Sequence, residues 1–152
     1  MNASEIMHRS VHTCSIHDTL DHVARVMWER NCGSVPLVDD AGKVVAMITD
    51  RDVCMAAYLQ GQPLARIVAQ SAASRSVTTV HENATVESVE ALMRDRQIRR
   101  IPVVDAEQRP VGMVTINDLV IHSHPGGRRR EGLSAESIAR TLAAICQRAR
   151  TP

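Results

Sequence analysis

The feature that most constrains this chain is an internal duplication. Residues 35–53 (VPLVDDAGKVVAMITDRDV) align without a gap with residues 101–119 (IPVVDAEQRPVGMVTINDL). The identical positions include apolar and polar residues alike: Pro36/Pro102, Val38/Val104, Asp39/Asp105, Val45/Val111, Met47/Met113, Thr49/Thr115 and Asp52/Asp118. Because the apolar periodicity and the polar positions share one register, the duplication indicates two similar supersecondary units that pack together.

Each copy shows the same order of predicted elements: a short strand, a helix, two strands and a second helix. An N-cap at residues 18–19 precedes the first amphipathic helix, and its counterpart is predicted over residues 85–97. Gly33 is predicted to end the first helix in the left-handed conformation. Thr49 and Thr115 are predicted to begin the second helix of each copy, and Gly61 is predicted to end the helix that follows Thr49.

The domain organisation follows from the duplication and the length. In a chain of 152 residues, two units of about 60 residues have marginal separate cores, so we expect them to share an interface. The predicted fold class is α+β, with β-α-β-β-α repeats at 1–62 and 63–123, a linker at 124–133 and a C-terminal helix at 134–150. Ser134 is expected to cap this helix. Its apolar stripe is expected to dock on the repeats or on a second copy of the chain: Ile138, Leu142, Ile145 and Cys146.

Composition argues against broad electrostatic partners. Charged residues make up 23% of the chain and the formal net charge is +1, so no strong field for nucleic acid or a membrane surface is expected. No apolar run has the length of a signal peptide or a membrane span, and we therefore predict a cytoplasmic protein. The cysteines form no C-x-x-C pair and are predicted to be reduced thiols: Cys14, Cys32, Cys54 and Cys146.

Catalytic and metal chemistry are not predicted. His8 and His12 with Cys14, or His122 with His124, lack further ligands at a suitable spacing, so no metal site is predicted. The cysteines have no assignable base, and the sequence contains neither a phosphate-binding loop nor a dinucleotide fingerprint. The chain is therefore predicted not to be an enzyme.

The two Thr-x-x-Asp elements allow two interpretations. Thr49 with Asp52, and Thr115 with Asp118, resemble capping boxes that begin two helices. Both elements, however, directly follow a buried strand at the same repeat position, and a capping box favours Glu or Gln over Asp. A helix N-terminus after a strand suits phosphate, and an Asp carboxylate can accept hydrogen bonds from both vicinal hydroxyls of a ribose. The sequence therefore indicates a nucleoside-type ligand.

The duplicated unit resembles a tandem pair of cystathionine beta-synthase (CBS) domains, also called a Bateman module. The resemblance covers residues 1–122 and rests on VPLVD with AMITDRD and on IPVVD with GMVTIND. Members of this family form pseudo-symmetric pairs that usually dimerise. They bind AMP, ADP, ATP, NAD or S-adenosylmethionine in clefts between the repeats.

The resemblance implies roles for individual residues. Asp52 and Asp118 would hold ribose, Thr49 and Thr115 would lie by the ribose and phosphate, and Met47 and Met113 would border the adenine. The residues before the Pro-containing strands would also line the sites: Gly33 and Ser34 in one repeat, and Arg99 and Arg100 in the other. Ala46 stands where the second repeat has the family's glycine, Gly112, and could tighten the first site.

These observations predict a stand-alone regulatory module that senses an adenine nucleotide, with AMP as the foremost candidate, and signals in trans to a protein partner. The arginines at 99 and 100 predict that the Asp118 site prefers phosphorylated ligands. Two alternatives remain: a constitutive dimerisation scaffold in which both Thr-x-x-Asp elements are only caps, or a nucleic-acid binder. The second would use C-terminal arginines (Arg128–Arg130, Arg140, Arg148 and Arg150), but Trp28 and Tyr58 are the only aromatic residues available for base stacking.

Overall fold

The predicted order of elements is present in both repeats of the computed structural model, which describes residues 1–74, 76–123 and 133–148. A short helix α1 (Ala3–Ile6) precedes the first repeat. The first repeat consists of β1 (Cys14–Ser15), α2 (Leu20–Glu29), β2 (Ser34–Val38), β3 (Val44–Thr49) and α3 (Asp50–Gln60). A 3-10 turn (Leu64–Arg66) and the short helix α4 (Ala69–Ala72) lead into the second repeat.

The second repeat follows the same plan. It consists of β4 (Val80–His81), α5 (Val86–Arg96), β5 (Arg100–Val104), β6 (Pro110–Thr115) and α6 (Ile116–Ser123). Helix α7 (Ala135–Arg148) follows, and most of the predicted linker lies outside the described residues. The fold class is α+β, as predicted.

Each repeat forms a three-stranded sheet, in the order β1-β2-β3 and β4-β5-β6. The first strand of each repeat runs parallel to the second, and β2 pairs antiparallel with β3. In the β2–β3 register, Ser34 lies opposite Thr49 and Pro36 lies opposite Met47. The sheet therefore brings residues that are distant in sequence to the N-terminus of α3.

The compact units combine each repeat with a segment from outside its predicted boundaries. One unit, here the first-repeat unit, contains residues 11–78 and 107–110; the second-repeat unit contains residues 1–10, 79–106 and the described chain from residue 111. Asn2 accordingly bridges to Thr85, and Val68 bridges to Thr19. The repeat boundaries 1–62 and 63–123 remain a prediction. The segment that precedes each repeat in sequence, here called its lead-in segment (residues 1–10 and residues 63–78), packs on the other repeat.

The alternating apolar residues of each repeat form its core. Leu20, Val23, Leu37 and Ile48 are fully buried in the first-repeat unit, and Val86, Val89, Val103 and Val114 are their counterparts in the second. Gly61 ends α3 with φ 60°, as predicted. The prediction for Gly33 was wrong, because α2 ends earlier and Asn31 takes the left-handed conformation with φ 49°.

Helix α7 packs on the second-repeat unit through α5 and α6. Ser134 caps it by accepting a hydrogen bond from the Ser137 N–H at 3.0 Å. Ile138 and Ile145 are buried, whereas Leu142 and Cys146 are exposed. Thr141, which is fully buried, lies between the two isoleucines on the buried face. The expected docking of this helix is therefore found, with a buried face that is more polar than the predicted stripe.

Candidate functional site

The first Thr-x-x-Asp element (Thr49, Asp52) lies where β3 passes into α3. Asp52 Oδ2 accepts hydrogen bonds from the Thr49 N–H and the Thr49 hydroxyl, both at 2.8 Å, and the Asp52 N–H donates to Thr49 Oγ1 at 3.2 Å. This arrangement is a complete capping box. It uses one carboxylate oxygen, and Asp52 Oδ1 makes no hydrogen bond to any described residue. One oxygen thus remains for a ligand beside the positive end of a helix.

The residues before β2 close around this helix N-terminus. The Asp50 N–H donates to the Gly33 carbonyl at 3.1 Å, and Ser34, which is 7% exposed, lies opposite Thr49 in the sheet. Met47 is half-buried two residues before Thr49. The structure therefore brings together the predicted first-repeat residues Gly33, Ser34, Thr49 and Asp52 at one end of the sheet.

The second Thr-x-x-Asp element (Thr115, Asp118) repeats this geometry. Asp118 Oδ2 accepts from the Thr115 N–H and the Thr115 hydroxyl, both at 2.7 Å, and the Asp118 N–H lies 3.4 Å from Thr115 Oγ1. The Ile116 N–H donates to the Arg99 carbonyl at 2.8 Å, as Asp50 does to Gly33 in the other copy. Arg99 is exposed, and Arg100 begins β5 half-buried. The duplication therefore holds at the level of individual hydrogen bonds.

The two elements differ at the remaining carboxylate oxygen. His8 Nε2 lies 2.6 Å from Asp118 Oδ1, and the side chains of His8 and Asp118 are 68% and 4% exposed. Both oxygens of Asp118 are consequently engaged within the second-repeat unit. A ribose hydroxyl that donates to Asp118 Oδ1 would have to share this oxygen with His8 or displace it.

The position of His8 follows from the attachment of the lead-in segments. His8 pairs with Met113 through two backbone hydrogen bonds of 2.9 and 3.0 Å. Ser74 takes the matching place beside Met47, where its N–H donates to the Met47 carbonyl at 3.0 Å. The first element therefore has a short serine where the second has an imidazole, so only the second carboxylate is covered.

Gly112 permits this close approach in the second-repeat unit. A Cβ atom at Gly112 would lie 2.8 Å from Met7 Cγ and 2.9 Å from the His8 carbonyl oxygen. Ala46, at the matching position, belongs to the same core cluster as Ala73 of the other lead-in segment. The second repeat thus combines Gly112 with the large Met7, and the first repeat combines Ala46 with the small Ala73. The smaller side chain at position 73 leaves room for the larger residue at position 46.

Sequence reasoning missed His8 as a site residue. The signal was available, because His8 and Ser74 occupy equivalent positions when the duplication is extended to the lead-in segments. A cavity of about 390 Å³ also opens in the first-repeat unit between α2 and the start of α3. Gly33 is the one predicted site residue that lines it, together with Trp28, Cys32 and Asp50 among others.

Comparison with known proteins agrees with the duplicated architecture. The family model described as "CBS domain" matches the chain twice, at residues 3–58 and 68–124. Hypoxic response protein 1 of Mycobacterium tuberculosis is 31% identical over 144 residues, which are 95% of this chain and 93% of that protein. Protein MK0525 of Methanopyrus kandleri is 32% identical over 120 residues, 79% of this chain, and the match spans 61% of its length.

Two solved structures show the same fold. The crystal structure of Hypoxic Response Protein I with two coordinated zinc ions has a TM-score of 0.73 at 30% identity, covering 80% of this chain and 98% of that chain. The CBS domain pair of protein MJ0100, in complex with 5-methylthioadenosine and S-adenosyl-L-methionine, has a TM-score of 0.71 at 27% identity. That match covers 80% of this chain and 94% of the MJ0100 chain.

Proposed function

Because the chain belongs to the CBS domain family and carries two copies of the domain in tandem, we propose that it is a non-catalytic regulatory module that binds an adenosine-containing ligand. The observation that carries this proposal is the first Thr-x-x-Asp element. Asp52 keeps one carboxylate oxygen open to a ligand at the N-terminus of α3. A ribose that donates to this oxygen gains a charge-assisted hydrogen bond, worth about 1.5–3 kcal/mol.

The surroundings of Asp52 favour a ligand with little negative charge at this element. The neighbouring predicted site residues Gly33 and Ser34 are small and carry no cationic group. The CBS domain pair of MJ0100 binds 5-methylthioadenosine and S-adenosyl-L-methionine, which share an adenosine without a phosphate. We infer that the first element takes ligands of this class.

The second element is better suited to a phosphorylated ligand such as AMP, in keeping with Arg99 and Arg100 at the start of β5. Arginine can hold a phosphate through paired, charge-assisted hydrogen bonds. Such a ligand would compete with His8 for Asp118 Oδ1. The proposal therefore assigns different ligands to the two elements, with AMP, ADP, ATP and NAD as candidates for the second.

A thermal-shift series tests the proposed function. The full chain is heated with 5-methylthioadenosine, S-adenosylmethionine, AMP, ADP, ATP or NAD, with inosine as a control that has the same ribose but a different base. A ligand that binds the folded state at 100 times its Kd stabilises it by about 2.7 kcal/mol, which raises the melting temperature by several degrees. If no adenosine compound raises it at millimolar concentration, the nucleotide-sensing proposal is rejected.

The alternative function is a constitutive scaffold. It is favoured by one observation, namely that the capping hydrogen bonds of both Thr-x-x-Asp elements are formed between residues of the chain itself. We expect the scaffold and the sensor alike to be homodimers that act on a protein partner in trans. Large apolar side chains on α2 and α3 support self-association, since Trp28, Tyr58 and Leu59 are 87%, 78% and 74% exposed. Light scattering of the full chain measures this directly.

The location of the protein stays a prediction. None of the described helices is long and apolar enough to cross a membrane.

A further inference from the structure

Three potential metal ligands meet in the first-repeat unit, outside both Thr-x-x-Asp elements. Cys14 lies on β1, Asp18 in the turn that follows, and His22 in the first turn of α2. One donor atom from each residue lies within 4.8 Å of the other two. Asp18 Oδ2 and His22 Nε2 are 3.7 Å apart. The strand, turn and helix thus bring a thiol, a carboxylate and an imidazole to one point.

We propose that Cys14, Asp18 and His22 form a binding site for a thiophilic divalent cation of the Zn²⁺ class. Thiolate sulfur and imidazole nitrogen select zinc-like ions over Mg²⁺ and Ca²⁺, and a carboxylate is an accepted third ligand. With bond lengths of about 2.0–2.3 Å, tetrahedral ligand atoms are about 3.3–3.8 Å apart. The cluster therefore needs a contraction of at most about 1.5 Å, within the reach of side-chain rotations.

The local environment suits a bound cation in several respects. Ser15 N–H donates to Asp18 Oδ2 at 2.8 Å and orients the carboxylate. Cys14 is 3% exposed, so the sulfur is shielded from water, and His22 lines a cavity of about 450 Å³ that is open to solvent. One thiolate and one carboxylate neutralise a divalent charge, which lowers the cost of burying it.

A water molecule would complete four-coordination, which leaves Cys14 as the thiolate ligand of the site. The pKa of the Cys14 thiol is raised to about 11, first by burial and then by the nearby Asp18 and Cys32. Cys32 is therefore within electrostatic range of the cluster, and it is half-buried at the end of α2. Metal binding would release the Cys14 proton to solvent as the sulfur–metal bond forms.

Arg25 disfavours metal binding by His22. Its Nη2 lies 2.8 Å from His22 Nδ1, and because a guanidinium can only donate, Nδ1 accepts and Nε2 carries the proton. Coordination through Nε2 requires this proton to move to Nδ1 and Arg25 to leave. Arg25 is exposed and can turn into solvent. Removal of Arg25 should therefore strengthen metal binding, an effect that a purely structural cluster does not predict.

Titration of the metal-free full chain with Co²⁺ tests the proposal, because a cobalt–thiolate bond adds a near-ultraviolet charge-transfer band. We expect saturation at one equivalent and displacement by Zn²⁺. Cys14→Ser should abolish the band, His22→Gln should weaken binding by about 100-fold or more, and Arg25→Ala should tighten it several-fold. Cys54→Ser is the matched control, since Cys54 is an exposed cysteine on α3.

Several outcomes would overturn the metal site. These are the absence of a saturable band, a band that persists in Cys14→Ser, or a band lost in Cys54→Ser. His22→Gln keeps the test valid if the buried Cys14→Ser variant does not fold, because His22 is partly exposed and its variant can be checked by circular dichroism. Asp52→Asn should retain the band, so failure of the metal proposal and failure of the nucleotide proposal are distinguishable.

Discussion

His8 Nε2 lies 2.6 Å from Asp118 Oδ1 and covers this carboxylate oxygen. In Asp52, the repeat counterpart of Asp118, the corresponding oxygen is open. The difference arises from the lead-in segments, which place His8 beside Met113 and Ser74 beside Met47. The duplication therefore provides two matched elements in one chain, one covered and one open. Each can serve as the control for the other.

Replacement of His8 by serine should open the second element. The contact is charge-assisted but His8 is largely exposed, so we expect its net contribution to be about 1.4 kcal/mol, or roughly tenfold in affinity. His8→Ser should therefore bind AMP about tenfold more tightly in calorimetry. The reciprocal Ser74→His change should weaken 5-methylthioadenosine binding at the first element. Unchanged affinities in both variants would show that His8 does not compete with ligand.

Arg100 should contribute to phosphate recognition at the second element. Because the paired hydrogen bonds of a guanidinium require a phosphate, Arg100→Ala should weaken AMP binding by about 10-fold or more and leave adenosine binding unchanged. Calorimetry with the two ligands in a His8→Ser background measures the difference. Equal losses for AMP and adenosine would assign Arg100 to folding, and no loss for either would remove it from the site.

Gly112→Ala should destabilise the second-repeat unit and disturb His8. The new Cβ would lie 2.9 Å from the His8 carbonyl oxygen, so the backbone of the lead-in segment has to shift. We expect a loss of about 1–3 kcal/mol in the free energy of unfolding, measured with urea. Ala46→Gly is the matched control and should cost at most about 1 kcal/mol. A neutral Gly112→Ala would mean that the lead-in segment is loosely held.

The attachment of α7 should depend on a small polar cluster. Glu90, 4% exposed, accepts hydrogen bonds from the hydroxyls of Ser137 and Thr141 at 2.6 and 2.8 Å. Thr141→Val removes one donor at almost constant volume and should lower the free energy of unfolding by about 1–3 kcal/mol. A double-mutant cycle with Glu90→Gln should show coupling between the two positions. Strict additivity would contradict the assigned contact.

The sequence was informative where local patterns decide the structure. The repeat register predicted the strands and the helices that follow them, and the family resemblance implied that Gly33 lies near Thr49 and Asp52. It did not predict which segments complete each unit, because the attachment of residues 1–10 to the second repeat depends on tertiary packing. His8 was missed for this reason, whereas the Cys14–Asp18–His22 cluster was missed because Cys14 was grouped with His8 and His12. Helix α2 also ends at Glu29, and Asn31 takes the left-handed conformation that was predicted for Gly33, because Asn tolerates that conformation.

Calorimetric titration of the Asp52→Asn and Asp118→Asn variants with 5-methylthioadenosine determines whether the open carboxylate of Asp52 holds the ligand. Asn preserves the shape of the side chain and the acceptor for the capping N–H, but it removes the charge that strengthens hydrogen bonds from ribose. The account predicts that Asp52→Asn weakens binding by about 10- to 100-fold, whereas Asp118→Asn leaves it nearly unchanged. Loss of binding in Asp118→Asn with full binding in Asp52→Asn would contradict it.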